Sequence, residues 1–179
     1  MNKEYVKDSH CSWCGSKFTE QTTWPRKCYV CWNESYKNPI PIVVSIIGVG
    51  EHGTSLLIQQ RNIEPKKGEW ALPSGYINFG ESWQEAAVRE NKEEMNFDSV
   101  PEDYELWGIK RPLSGNMLIF CKYKRLIYKE PILQLFKPNE EVIAIDFYMG
   151  NSELAFPTHN ECVKEYFDSI YSMEGFSHG

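Results

Sequence analysis

Three carboxylates in the middle of the chain have a spacing that could do chemistry. Glu93 and Glu94 follow Glu90 by three and four residues, which puts all three side chains on one face of a helix. Like charges held this close repel one another unless a cation sits among them. Carboxylate oxygens suit Mg2+ or Mn2+ rather than a soft metal. Such an ion neutralises phosphate charge and generates hydroxide from bound water, so the pattern suits metal-assisted hydrolysis of a diphosphate. Arg89 is adjacent and can orient one carboxylate. The alternative is a solvated acidic helix face balanced by Arg89 and Lys92, and helix charge alone does not choose between the two.

The second constellation is Cys11-Ser-Trp-Cys14 and Cys28-Tyr-Val-Cys31, with 13 residues between the pairs. A Cys-x-x-Cys turn presents two thiolates to one ion, and two such turns complete a closed tetrahedral site of the structural zinc kind. Rubredoxin-like iron and disulfides are the alternatives, and disulfides suit a cytoplasmic chain poorly. With Cys11, Cys14, Cys28 and Cys31 all bound, the metal keeps no open position, so its role is structural. A core this small needs the metal to fold. Trp13, Phe18, Trp24, Tyr29 and Trp32 either stack bases or pack the ribbon against a neighbouring surface. Cys121 follows an apolar strand with no nearby His, so it is not read as a nucleophile. His10, His52, His159 and His178 are scattered and form no ligand spacing.

The elements that must position the carboxylates follow from local patterns. A helix is expected from Ser82 to Met95, with Ser82 as N-cap and Glu85 completing a capping box. A loop is expected to open on Gly75 and close at Gly80–Glu81, folding the Gly75 carbonyl back toward the same ion. Asn91 falls on the face that should meet the core, where a buried amide without a partner costs about 1–3 kcal/mol. Asn96 stands where the helix should end in a left-handed residue. The β-branched run over 42–49 reads as one buried strand with 55–60 as its hairpin partner. Strands are expected over 104–112 and 116–128, joined by a Leu-Ser-Gly-Asn turn, and over 142–148. Residues 129–141 read as a loop with two prolines. A last helix spans 159–172, with Cys162, Val163, Tyr166, Phe167 and Ile170 as its core stripe. Lys66-Lys67-Gly68 is either a phosphate contact or a solvated loop. These patterns divide the chain into a ribbon with a short tail over 1–36, a proline-stiffened linker over 37–41 and a larger domain over 42–179.

Gly75, Glu81, Arg89, Glu90, Glu93 and Glu94, at their fixed spacing, resemble the Nudix box of the Nudix hydrolases, and Trp70-x-x-Pro73-x-Gly75 extends the resemblance upstream. Asn91 and Asn96 depart from the family's usual apolar residue and Gly, and neither touches a metal ligand. The resemblance implies an α+β fold, an α/β/α sandwich around a mixed sheet. It implies a site in which Glu93 and Glu94 are the principal Mg2+ or Mn2+ ligands, Glu90 is ligand or base, and the Gly75 carbonyl completes the sphere. A further carboxylate often comes from a loop outside the box. Glu141 is the candidate by position and Glu140 the runner-up, against the reading of both as a surface pair. A zinc ribbon, an Asn-Pro linker and a Nudix domain also occur together in NADH pyrophosphatases, but their Ser-Gln-Pro-Trp-Pro-Phe-Pro array is missing here. The chain is more similar to ribbon–Nudix proteins related to plastid FAD pyrophosphatases and ADP-ribose pyrophosphatases. It shares with them Cys-x-Trp-Cys-Gly at 11–15, Asn-Pro at 38–39, Gln-Arg-Asn-Ile-Glu-Pro at 60–65, Leu-Pro-Ser-Gly-Tyr-Ile at 72–77 and Leu-Ala-Phe at 154–156. The implied substrate is a dinucleotide such as FAD, ADP-ribose or NADH, cut to two monophosphates, and the implied assembly is a homodimer. The alternatives are decapping of dinucleotide-capped RNA and a nucleotide-sensing Nudix module that does not cut.

Composition sets outer bounds. The chain has 179 residues, is 41% hydrophobic and carries a net charge of −6, enough for one sizeable core plus an appendage. The acidic balance argues against a nucleic-acid partner held by phosphate neutralisation. No apolar run approaches the ~20 residues that span a bilayer, so no membrane partner is expected. The polar start and the metal-type cysteine pairs lead to an expected cytoplasmic location.

Overall fold

The structure, a computed structural model, describes residues 6–19, 23–112 and 115–173. The chain separates into two compact units, one ending at Pro39 and the other beginning at Ile40.

The first unit consists of two matching knuckles. In each, the first cysteine's carbonyl accepts from the residue after the second cysteine: Gly15 N donates to Cys11 O at 3.0 Å and Trp32 N to Cys28 O at 2.9 Å. Both of these residues are left-handed, Gly15 at φ 73° and Trp32 at φ 62°. Strands β1 (Arg26–Lys27) and β2 (Glu34–Ser35) pair antiparallel. Among the described residues, the buried apolar core of this unit is Cys11, Phe18 and Cys28, with Trp24 and Cys31 against it, too little apolar area to offset the entropy of ordering the unit without a metal.

In the second unit, strand β3 (Pro41–Ile46) is followed by β4 (Gly48–Val49) and β5 (Ser55–Arg61). The run over 42–49 is therefore two strands rather than one. β3 belongs to one sheet, and only β4 pairs with β5 in the other. The chain changes sheet around Gly48, where a Cβ would lie 2.5 Å from the Tyr166 hydroxyl and 2.7 Å from Leu126. After β6 (Trp70–Ala71) and β7 (Ser74–Tyr76) comes α1 (Trp83–Met95), then β8 (Tyr104–Lys110) and β9 (Met117–Tyr123). Leu113 and Ser114 of the expected turn lie outside the described residues. The segment read as a loop contains a short helix, α2 (Lys129–Leu135). Pro131 sits in its first turn, where a missing N–H costs nothing, and Ile132 is buried against the core. Strand β10 (Val142–Tyr148) and helix α3 (Pro157–Met173) close the fold, α3 starting on the proline favoured at that position.

One sheet runs β7-β3-β9-β8 and the other β10-β5-β4, with β6 on β5. β3 and β9 are parallel and the remaining pairs antiparallel, so the sheet structure is mixed, as expected. Helices cover both faces. Val44, Ile46, Leu56, Ile58 and Phe120 pack with Cys162, Val163, Tyr166 and Phe167 of α3. Val43, Ile47, Val49 and Leu57 pack with Ala86, Ala87 and Met95 of α1. Cover on both faces explains why β3 and β5 are buried along most of their length rather than at alternate positions. Asn91 is fully buried on the α1 side, and its amide donates to Ser45 Oγ at 3.0 Å and Tyr104 OH at 2.8 Å. Among the described residues, no helix is long and apolar enough to cross a membrane.

Candidate active site

Helix α1 starts where its capping chemistry dictates. Glu85 N donates to Ser82 Oγ at 3.2 Å, and Ser82 N donates back to Glu85 Oε2 at 2.8 Å. Asn96 ends the helix at φ 55°, the left-handed cap that Asn tolerates in place of Gly.

Arg89 organises the exposed side of the cluster. Its Nε donates to Glu81 Oε1 at 2.7 Å and its Nη2 to Glu81 Oε2 at 3.0 Å, a bidentate pair. Nη2 also reaches the Tyr76 carbonyl at 2.8 Å, while Nη1 donates to Glu90 Oε1 at 2.6 Å and Glu93 Oε2 at 3.1 Å. One guanidinium thus ties the end of β7, the loop and the helix together, and it holds the Glu81 carboxyl below the usual range.

Gly75 lies inside β7, paired with Val43, so the loop opens after Tyr76 rather than on Gly75. A Cβ on Gly75 would sit 1.9 Å from Glu90 Cδ. The bare backbone at that point is what lets the Glu90 carboxylate in.

Glu90 and Glu94 are buried, and Glu93 is exposed. Burial pushes Glu90 up; the Arg89 bond opposes this, and the charges of Glu93 and Glu141 add to it. Burial pushes Glu94 up to about 8. The bond from Gln59 opposes that shift, and the charges of Glu90 and Glu141 reinforce it. Glu141, at the start of β10, therefore acts on both buried carboxylates. Gln59 Nε2 donates to Glu94 Oε1 at 2.7 Å. Glu94 Oε2 and Gln59 Oε1, both buried, have no hydrogen-bond partner among the described residues. A buried, unpartnered carboxylate oxygen among mutually repelling oxygens fits a hard divalent cation.

The cysteines pass a sharper test. Tetrahedral zinc at about 2.3 Å from each sulfur places the sulfurs about 3.8 Å apart. Cys11 Sγ and Cys31 Sγ are 3.7 Å apart, as are Cys14 Sγ and Cys28 Sγ, and the four ligand atoms all lie within 4.8 Å of one another. Trp13 N donates to Cys11 Sγ and Val30 N to Cys28 Sγ, each at 3.4 Å. Burial disfavours the Cys11 thiolate, but the amides of Cys14 and Trp13 and the Ser35 hydroxyl outweigh it and bring the thiol down to about 6. At Cys31 the Asn33 amide favours the thiolate, but burial and the other sulfurs push it up to about 11. Four thiolates this close need a cation, and this donor set fits zinc.

A model of the NUDIX domain matches residues 39–164. The chain belongs to the NUDIX family. This Nudix chain is 34% identical over 139 residues to an ADP-ribose pyrophosphatase of Methanocaldococcus jannaschii, covering 74% of this chain and 78% of that one. It is 28% identical over 161 residues to the NAD-capped RNA hydrolase NudC of Photorhabdus laumondii, a match covering 87% of this chain and 57% of that relative. Its fold matches the crystal structure of a NUDIX hydrolase from Nitrosomonas europaea at a TM-score of 0.64 and 25% identity, across 93% of each chain. The protein is a Nudix hydrolase with an N-terminal cluster of four cysteines.

Three side chains of this Nudix hydrolase escaped the sequence reading. Gln59 continues the face of Leu57 two residues on, where an apolar residue is the default. Its signal was a polar residue inside a buried strand. His159 is buried at the start of α3, its Nδ1 accepting from Leu72 N at 3.2 Å. Asn139 bridges α1 to the segment carrying Glu141. Neither His159 nor Asn139 has a spacing relationship to its partners that a linear pattern reveals.

Proposed function

We propose that the protein is a metal-dependent pyrophosphatase that hydrolyses the diphosphate of an ADP-ribose-type dinucleotide (ADP-ribose, FAD or NADH) to two monophosphates. The observation that carries this reading is the buried Glu94 carboxyl with one oxygen unpartnered among the described residues, on which the charges of Glu90 and Glu141 act. A solvated acidic face does not bury a carboxyl with one oxygen left unpartnered, because part of the desolvation cost goes uncompensated. The similarity to the ADP-ribose pyrophosphatase of M. jannaschii supports ADP-ribose as the first substrate to test.

In this mechanism Glu93 and Glu94 would hold Mg2+ or Mn2+, and Glu90 would be ligand or base. When bound, the metal supplies charge neutralisation at the diphosphate and a lowered pKa for water. Arg89 keeps Glu90 and Glu93 in fixed orientations, so these carboxylates need not reorganise during the reaction. Glu141 stands within electrostatic reach of Glu90 and Glu94, and either it or Glu90 would take the proton of the attacking water. Cys11, Cys14, Cys28 and Cys31 would hold zinc in a structural role, four protein ligands leaving it no position for substrate.

A second reading, removal of a dinucleotide cap from RNA, is favoured by the similarity to NudC over 161 residues. One panel separates the two: ADP-ribose, FAD, NADH, NAD+ and NAD-capped RNA, each with Mg2+ or Mn2+, using wild type and Glu93→Gln. Release of two monophosphates from ADP-ribose by wild type alone supports the dinucleotide reading. Preferential cleavage of capped RNA supports the second. Binding of a nucleotide without cleavage defeats both in favour of a sensing module.

A further inference from the structure

The segment that carries Glu141 is fastened to helix α1 through one side chain. Asn139 Nδ2 donates to the Glu94 carbonyl at 3.0 Å and the Glu93 carbonyl at 3.3 Å. Its Oδ1 accepts from Val142 N at 2.8 Å and Glu141 N at 2.9 Å. These bonds use both amide hydrogens and both lone pairs, the full capacity of an Asn side chain. The backbone of Asn139 is tied as well: its N–H donates to Val142 O at 2.8 Å, and its carbonyl accepts from Asn62 Nδ2 at 3.2 Å. Asn62 N in turn donates to Glu141 O at 2.7 Å.

The carbonyls it holds belong to Glu93 and Glu94, in the last turn of α1, where intrahelical donors run out. Asp at this position would lose both donations to the helix and place a negative charge at its C-terminal end, which the helix dipole disfavours. Ala would leave carbonyls and amides on both sides without this partner. The side chain thus fixes the distance between the backbone of two box glutamates and the backbone of Glu141.

We propose that Asn139 is a positioning residue that sets Glu141 against the carboxylate cluster of α1, and that through Glu141 it tunes the metal affinity of the site. The inference rests on the proposed reading of Glu93 and Glu94 as metal ligands with Glu141 beside them. The charge of Glu141 already acts on Glu90 and Glu94, so moving Glu141 away weakens the pull on a divalent cation.

The test is a Mn2+ titration followed by electron paramagnetic resonance on the full chain. It compares wild type, Asn139→Ala, Glu141→Gln, their double variant and Glu93→Gln, with amide hydrogen exchange read at Glu141 and Val142. Asn139→Ala is expected to weaken Mn2+ binding about 10-fold, as removal of an outer partner does, and to speed exchange at both amides. Glu141→Gln is expected to weaken binding by a similar factor, and the double variant to bind within about 2-fold of Glu141→Gln, because the two residues act as one unit. Wild-type Mn2+ affinity in Asn139→Ala with faster amide exchange overturns the proposal, and so do losses that multiply in the double variant. Asn139→Ser keeps one acceptor for the amides and gives up both helix donations, so it repeats the comparison if Asn139→Ala does not fold. Unchanged Mn2+ binding in Glu93→Gln overturns the carboxylate site itself, which separates failure of the proposed function from failure of the role of Asn139.

Discussion

Gln59 donates its side-chain amide to Glu94 Oε1 at 2.7 Å in a setting closed to solvent, and among the described residues Glu94 Oε2 has no hydrogen-bond partner. The bond fixes which oxygen is committed to the protein and which remains for a ligand. Outer partners of this kind orient the groups that bind a metal, and losing one costs about 10–100-fold in affinity. Gln59→Leu keeps the volume and removes the donor. It is expected to lower turnover at limiting Mg2+ by about 10-fold or more, with recovery toward wild type at excess Mg2+. Glu94→Gln is expected to lose turnover at every Mg2+ concentration and, above about pH 8, to raise the melting temperature of the metal-free protein, since there it removes a buried charge. A Mg2+ titration of rate, with thermal melts in EDTA, checks both.

The contact between Gly75 and Glu90 predicts an effect of a single methyl group. A Cβ at Gly75 would overlap the Glu90 carboxyl, with 1.9 Å to Cδ. Glu90 cannot simply swing away, because Arg89 holds it at 2.6 Å. Gly75→Ala must therefore displace either the carboxylate or strand β7, which pairs with β3 through Val43↔Gly75. The expected result is a fall in kcat of about 100-fold, the scale reached when a reacting geometry slips by about 1 Å, with zinc content unchanged. Kinetics of Gly75→Ala at saturating Mg2+ check this, and a rate within a few-fold of wild type would sink the placement of Glu90 at the reaction.

Local signals were the legible ones. Helix α1, its capping box and its left-handed Asn96 cap were readable because each rests on residues within four positions of one another. The knuckles were readable for the same reason. What the sequence concealed depends on contacts between distant segments. The break between β3 and β4 follows from Tyr166 and Leu126 occupying the space beside Gly48, more than seventy residues away along the chain. The buried Asn91 signalled a cost but not that Ser45 and Tyr104 meet its Nδ2 while, among the described residues, its Oδ1 has no partner. Helix α2 was hidden because Pro131 reads as a breaker anywhere except the first turn, which is where it lies. The box glutamates stood out by spacing, while Gln59 and Asn139 became visible only once strands and loop were placed around them.

The sulfur cage of the first unit sets a second kind of prediction. Cys14 Sγ lies 3.7 Å from Cys28 Sγ, the edge length of a zinc tetrahedron, and among the described residues the buried apolar core of this unit is three residues. Cys14→Ser is expected to release the metal and unfold this unit, because metal binding supplies its folding free energy. Elemental analysis should find one zinc per chain in wild type and less in the variant, and the fluorescence of Trp24, half-buried against the small core, should shift toward that of solvated indole. Wild type purified without zinc or any other metal would overturn the assignment.

His159 makes the stability of the Nudix unit depend on pH. Its Nδ1 accepts the Leu72 N–H at 3.2 Å, so the ring must stay neutral there. Ala155 N donates to Trp70 O at 2.7 Å, and the two bonds together tie the approach to α3 onto the segment that leads to Gly75. Burial pushes the His159 pKa down from 6.5 to about 3, and the Arg61 charge adds to the shift. The folded-state pKa is thus depressed below the unfolded value. Between these values the unfolded chain binds a proton that the folded chain refuses, so stability falls as pH drops, by about 1.4 kcal/mol per pH unit. Above about 6.5 the contribution is complete and flat. Urea unfolding of wild type and His159→Gln from pH 8 to pH 5 checks the sign. Gln keeps an acceptor but cannot titrate, so the variant should lack a loss of about 2 kcal/mol that wild type shows between pH 6.5 and 5. Parallel pH profiles for the two proteins would mean that His159 does not stay neutral in the fold.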